Sequence, residues 1–425
     1  MSIEKSAPKA ASAAKPAGKV KNKNIKIFGL NLFIDGGFDI IFMFIVFALL
    51  TTGLIMMFSA SYVWAKYNVS DTGGNTFHYI TRQLVFAVIG VIAMFVLSKV
   101  NPQVIKGFMP VIAAVSLALL VVVLFYHTNV PDSPDIKRWI PIGSFSFQPS
   151  DVAKLGLIIT MAALIERNKK KLEKNPFFPF AIAAVVVVFC GLVYLESHLS
   201  CVLLMLIIGV GMMFLGGIDR RFFIVCGIAA VIIIAILWHE REHISFLNGY
   251  QIKRITSFFV DEKNYYDTDD RYQTNQSLFA LGSGGLLGVG LGNSRQKFMY
   301  LPEPQNDFVF AIVGEELGFI RCVLILLMFM ALIAKGFHIA VKAKNTYERL
   351  LVLGICLQFG VQTILNILVV TDMMPNTGIS LPFFSYGGTA LVIQLAEMGL
   401  VLGVSRTGDR FPKRKKVKDE GERHA

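Results

Sequence analysis

The stretch Tyr300–Gly318 reads YLPEPQNDFVFAIVGEELG and sets a lone carboxylate, Asp307, between a long polar loop and an apolar run. A helix N-terminus favours an ionised carboxylate, the state a general base needs. The same place suits a helix cap, because Asp and Asn side chains satisfy the orphan N–H groups there. Asn306 is equally able to cap, so spacing leaves base and cap evenly matched for Asp307. Two turns deeper lie Glu315 and Glu316, and acids at membrane depth are costly unless paired or hydrated. They predict a polar cavity or an ion cluster, with Arg321 as a candidate partner. Gly314 and Gly318 then share a helix face and form a small-xxx-small surface for close helix approach.

A second group carries the opposite charge. Asp151 and Lys154 are three residues apart and so share one helix face, with Ser150 as the expected N-cap. They read either as a local ion pair or as a cation, held by a carboxylate, for an anionic substrate. Ser150 and Lys154 do not have the S-x-x-K spacing of an acyl-serine enzyme. Arg82 opens another apolar run, where it either snorkels or adds a second cation for phosphate. The run GSGGLLGVGLG, Gly282–Gly292, matches neither the P-loop nor the dinucleotide fingerprint. Its glycines serve tight turns or an anion-binding nest, and turns are the plainer reading. His198 stands beside Glu196 with no further ligands at metal spacing. His239 and His243 lie in HEREH, which is not the H-E-x-x-H of a zinc protease.

The elements that must position these groups are membrane helices. The chain has 425 residues, of which 54% are hydrophobic and only 16% charged, against roughly 25% charged in soluble domains. A span needs about 20 mostly apolar residues. Ten segments fit: Phe38–Ser59, Arg82–Leu97, Gly107–Tyr126, Val152–Ile165, Pro179–Leu195, Leu199–Leu215, Arg221–Trp238, Asp307–Ala334, Leu350–Val370 and Phe384–Val404. The expected fold is an all-α, polytopic membrane protein with about ten transmembrane helices. A ten-helix domain over residues 35–406 is flanked by a basic, disordered N-tail, 1–34, and a basic C-tail, 407–425. One long extracellular loop covers 239–306. Lys and Arg concentrate in the two tails and in alternate short loops, which places both termini in the cytoplasm by the positive-inside rule. The first span then serves as an uncleaved signal anchor.

The net charge of +12 follows from this bias and calls for no nucleic-acid partner. The C-tail run Lys413–Lys418 is suited to membrane lipids of anionic type, although a solvated tail is the plainer reading. The five cysteines fall in or beside spans without CxxC or metal spacing, and read as packing residues.

Four segments resemble a known family. They are RQL at Arg82–Leu84, RWIPIGSFSFQPSDVAKL at Arg138–Leu155, Gln276–Gly318, and PNTGISLPFFSYGGTAL at Pro375–Leu391. The chain is similar to the SEDS proteins, the group of FtsW, RodA and SpoVE, from about Asp35 to Arg406. Asp35 leading into FSAS at Phe58–Ser61, with RQL and GVSR at Gly403–Arg406, resembles the division or sporulation branch more than the elongation branch. Two departures stand out. Asp151 replaces the family's usual Glu, and ESHLS at Glu196–Ser200 replaces Q-P-D-L-G, putting His198 where an Asp is usual.

The resemblance implies a peptidoglycan glycosyltransferase that polymerises lipid II on the outer face of a bacterial cytoplasmic membrane. It assigns Asp307 as the base. Arg82 and Lys154 become candidates for the lipid diphosphate, with Asp151 holding Lys154. Gln148, Ser385, Gly282 and Gly284, which fall within the matching motifs, are further substrate-binding candidates. It also implies a class B penicillin-binding protein as partner and leaves a divalent cation, Mg or Mn, open at the diphosphate. A lipid II flippase and a scaffold for the crosslinking partner are the competing readings.

Overall fold

In a bilayer a backbone finds no water to bond, so each long apolar run closes into a helix. The structure, a computed structural model, describes residues 25–34, 36–128, 137–143, 145–228, 269–376 and 378–407. Its helices are α1 (Ile40–Tyr67), α2 (Val69–Thr72), α3 (His78–Lys99), α4 (Pro102–Gly107), α5 (Met109–Phe125), α6 (Pro149–Arg167) and α7 (Lys169–Lys174). They continue with α8 (Phe178–Leu195), α9 (Leu199–Leu215), α10 (Asp269–Gly284), α11 (Val309–Val341), α12 (Thr346–Val370) and α13 (Gly388–Thr407). Two small antiparallel hairpins accompany them, β1–β2 (Lys26–Ile27, Leu30–Asn31) and β3–β4 (Ile140–Ile142, Phe145–Phe147). Helices α1, α3, α8, α11, α12 and α13 are long and apolar enough to span a membrane, and α5 and α9 are shorter apolar helices. This is a multi-pass membrane fold. Residues 220–228 are helical and begin the seventh expected span. The rest of that span lies outside the described residues, as do Asp35, His239, His243 and the far ends of both tails.

Helix α6 sits at the centre. It packs on α5, α8, α9, α12 and α13, and its residues from Pro149 to Ile165 are almost all buried. Lipid tails are as apolar as leucine, so small residues that let helices approach decide the packing. The most extensive pairing, α3 with α13, uses Gly399, where a β-carbon would lie 2.5 Å from the Met94 carbonyl oxygen. Helix α10 meets α11 in the same way: a β-carbon on Gly284 would lie 2.1 Å from the Gly314 oxygen.

Helix α11 breaks at Gly318, which has φ 77° and ψ 176°. Gly314 and Gly318 therefore do not share a regular helix face, contrary to expectation. The backbone groups freed by the break are bonded by the glycine-rich run. Val289 N–H donates to the Glu315 carbonyl and Gly290 N–H to that of Glu316, both at 3.0 Å. In return Phe319 N–H donates to Gly285 O at 2.9 Å. A β-carbon on Gly318 would lie 2.2 Å from Gly288 N, and Gly288 has φ +81°. Close backbone approach and left-handed turns account for the glycines.

The deep acids are paired, but not with Arg321. Lys297 Nζ lies 2.7 Å from Glu316 Oε1, and both side chains are fully buried. Ser59 Oγ donates to the same carboxylate at 2.7–2.8 Å. Glu315 accepts from Ser294 Oγ and, at 2.8 Å, from Arg295 N–H. Arg321 instead donates to the Leu287 carbonyl at 2.8 Å. The last span starts at Gly388 rather than Phe384, because Leu381–Ser385 forms a turn. Its Leu381 N–H donates to Ser385 Oγ at 2.7 Å, and Phe383 has φ +65°.

Candidate active site

Helix α6 begins at the wall of a cavity of about 690 Å³. Pro149 occupies its first turn and Gln148 its N-cap position, as proline's fixed φ and missing N–H favour. Ser150, the expected cap, lies inside the helix and accepts from Gln148 Nε2 at 3.1 Å. The first turn then presents Asp151 and Lys154, paired at 2.8 Å with 9% exposure each. Asp151 spends one oxygen on that pair, and its Oδ2 is buried with no hydrogen-bond partner.

Asp307 approaches from another direction. The N-cap position of α11 falls on Phe308, so neither Asn306 nor Asp307 occupies it. Asn366, a polar residue within α12, fixes the Asp307 backbone. Its Nδ2 donates to the Asp307 carbonyl and to that of Ile379, both at 2.7 Å. The second bond draws the segment before α13 against Asp307. Within that segment Gly378 has φ +74°, and a β-carbon there would lie 3.3 Å from Asp307 Oδ2 and 3.9 Å from Arg138 Nη1. Carboxylate and guanidinium thus meet at one glycine.

The cavity lining contains three cations, Arg82, Arg138 and Lys154, and three carboxylates, Asp151, Glu303 and Asp307. Trp139, Phe86 and Phe145 give it apolar and aromatic walls. Of the candidates named from sequence, the cavity brings together Asp307, Arg82, Lys154, Asp151 and Gln148. It does not include Ser385, Gly282 or Gly284. Ser385 spends its hydroxyl on the Leu381 turn, and its carbonyl accepts from Gln83 Nε2 at 3.3 Å. Gly284 is consumed by the crossing with α11. Sequence reasoning passed over Arg138, Asn366 and Tyr386. Asn366 carried a signal, since an amide in an apolar span needs a task. Arg138 heads the RWIPIG motif and was legible only as part of it.

A short turn joins α8 to α9 at this wall, and its His198 is part of the cavity lining. Glu196 is fully buried, neither of its carboxyl oxygens has a hydrogen-bond partner, and burial pushes its pKa up to about 9, with Arg138 opposing and Asp151 adding to the rise. His198 is also buried. Burial, then Arg138 and Lys154, holds its imidazole well below the usual value. Among the described residues no group of three His, Cys, Asp or Glu could hold a metal ion.

Among the described residues the helices enclose a polar cavity lined by both signs of charge, and known proteins share the fold that builds it. The FtsW/RodA/SpoVE family model, described as cell cycle protein, matches residues 40–409. Stage V sporulation protein E of Bacillus subtilis (strain 168) is 38% identical over 87% of this chain and 97% of its own. The "Probable peptidoglycan glycosyltransferase FtsW" of Geobacter sp. (strain M18) is 34% identical over 87% and 97%. In fold, the chain is similar to a protein from a peptidoglycan synthase complex that coordinates polymerization and crosslinking, with TM-score 0.67 and 25% identity over 87% and 98% of the two chains. It is also similar to the rod shape determining protein RodA of Thermus thermophilus, with TM-score 0.61 and 25% identity over 88% and 99%. The chain belongs to the FtsW/RodA/SpoVE family.

Proposed function

We propose that this protein is a peptidoglycan glycosyltransferase that polymerises lipid II, with Asp307 as the general base. The observation that carries the reading is the meeting of Asp307 with three cations in one cavity. In the reaction an acceptor sugar 4-hydroxyl attacks the anomeric carbon of a lipid-linked donor. The new C–O bond forms as the bond from that carbon to the lipid diphosphate breaks. The hydroxyl proton passes to the Asp307 carboxylate, and the diphosphate leaves with its charge balanced by Arg82, Arg138 and Lys154. Asp151 orients Lys154, and Gln148 fixes the start of the helix that carries both.

The cavity faces the outer side of a bacterial cytoplasmic membrane in this reading, with both termini in the cytoplasm. The bias of Lys and Arg towards the tails and alternate loops supports that orientation. The work is septal or sporulation synthesis, which the 38% identity to the sporulation relative supports, and a class B penicillin-binding protein crosslinks the product. The similarity to a synthase complex that couples the two steps supports the partner. A Mg or Mn ion, if bound, would add positive charge at the diphosphate beside Arg82, Arg138 and Lys154.

The test is glycan formation from lipid II by the purified protein in detergent, with and without the partner. A flippase or a scaffold makes no polymer in micelles, where there is no bilayer to cross. Strands of many disaccharides establish the enzyme, and none under either condition returns the flippase and scaffold readings to the front.

A further inference from the structure

His198 has no part in the scheme above, yet it touches both halves of the site. Its Nδ1 lies 3.3 Å from Gln148 Nε2, at the N-cap position of α6, whose first turn carries Asp151 and Lys154. The amide nitrogen of Gln148 only donates, so Nδ1 accepts and the ring's proton sits on Nε2. The imidazole also faces the backbone of Gly378, the glycine against which Asp307 Oδ2 and Arg138 Nη1 converge. The turn that bears His198 is tied down independently. Arg138 donates to the Ser197 carbonyl, Lys137 N–H donates to that of Glu196 at 3.4 Å, and Ser197 has φ +59°.

We propose that His198 is a positioning residue whose imidazole ties Gln148 to Gly378 and so sets the distance between the base, Asp307, and the cation group around Lys154. The inference rests on Asp307 being the base. A neutral ring with one acceptor and one donor suits a link between an amide N–H and a backbone group. Its low pKa keeps it neutral across the physiological range. A carboxylate in its place has no donor to offer, so the link belongs to this chain's His. Displacing a reacting group by about 1 Å costs on the order of 100-fold in rate, which sets the expected size of the effect.

The experiment measures kcat, KM for lipid II and thermal stability of the purified full-length protein with its partner. It compares wild type, His198→Leu, His198→Gln and Asp307→Asn. His198→Leu lowers kcat about 10- to 100-fold, with KM within about twofold and an unchanged melting temperature. His198→Gln, which keeps a donor and an acceptor, recovers about tenfold of that loss. Wild-type kcat in His198→Leu overturns the proposal. So does a loss that His198→Gln does not rescue, or one that follows the melting temperature. If His198→Leu does not fold, His198→Gln decides: kcat within about tenfold of wild type supports the proposal, and a larger loss overturns it. Retained activity in Asp307→Asn refutes the base assignment instead, and is read from that variant alone.

Discussion

Replacing Lys297 by Met removes one partner of a fully buried ion pair. The Glu316 carboxylate, 2.7 Å from Lys297 Nζ and without exposed surface, keeps the Ser59 hydroxyl at 2.7–2.8 Å and the Ser294 N–H at 3.3 Å. Those donors do not neutralise it. Breaking a buried pair from one side costs about 3–5 kcal/mol, whereas replacing both partners by neutral groups is often harmless. The expected result is therefore a loss of about 3–5 kcal/mol in Lys297→Met and recovery of most of it in Lys297→Met/Glu316→Gln. Reversible denaturation in mixed micelles measures both. The cluster lies outside the cavity lining, so the folded fraction of the double variant keeps wild-type polymerisation. A single variant as stable as wild type refutes the electrostatic account. A double variant no better than the single refutes it too, and a stable double variant that is inactive places these acids in the chemistry.

Three further outcomes follow from particular contacts. Gly284→Val sets side-chain atoms where even a β-carbon lies 2.1 Å from the Gly314 oxygen, so α10 separates from α11. The yield of monodisperse protein falls, with a destabilisation of at least about 1–3 kcal/mol. Glu196 is held protonated, with its pKa at about 9, while the unfolded chain ionises it near 4.3. The folded state then binds the extra proton, so stability falls as pH rises between those two values, by up to about 1.4 kcal/mol per pH unit. Glu196→Gln removes that slope, and melting curves from pH 5 to 9 detect it. Lys154→Met leaves Asp151 buried and unpaired and removes a cation from the leaving group. Turnover with lipid II falls by about 100-fold or more in a steady-state assay of glycan length and amount.

The span pattern was legible because the bilayer leaves an apolar run of sufficient length no choice but a helix. Local pairs were legible for a similar reason: Asp151 and Lys154 are three residues apart, and helix geometry brings them together whatever surrounds them. What stayed hidden depends on backbone dihedrals and on distant segments. Gly318 sits in an apolar run and reads as a packing glycine, since nothing in the sequence reveals its φ of 77°. Arg321 is nearer to Glu316 in sequence, yet Lys297 reaches it, because the glycine-rich turn folds back along α11. The Ser150 cap failed because Pro149 moved the helix start upstream. Gly284 resembled part of an anion nest only while α10 and α11 were separate, and Gly282 lies outside the cavity lining. The site itself depends on Asn366 and Gly378, which reach Asp307 from later in the chain.

The central claim is that Asp307 takes the proton from the attacking hydroxyl. The most direct measurement is single-turnover polymerisation of lipid II by wild type and Asp307→Asn, alongside lipid II binding by both. Asn keeps the shape and removes the base, so the variant binds substrate within about threefold of wild type while its rate falls by about 100-fold or more. Polymerisation at the wild-type rate by a folded Asp307→Asn protein would contradict the account.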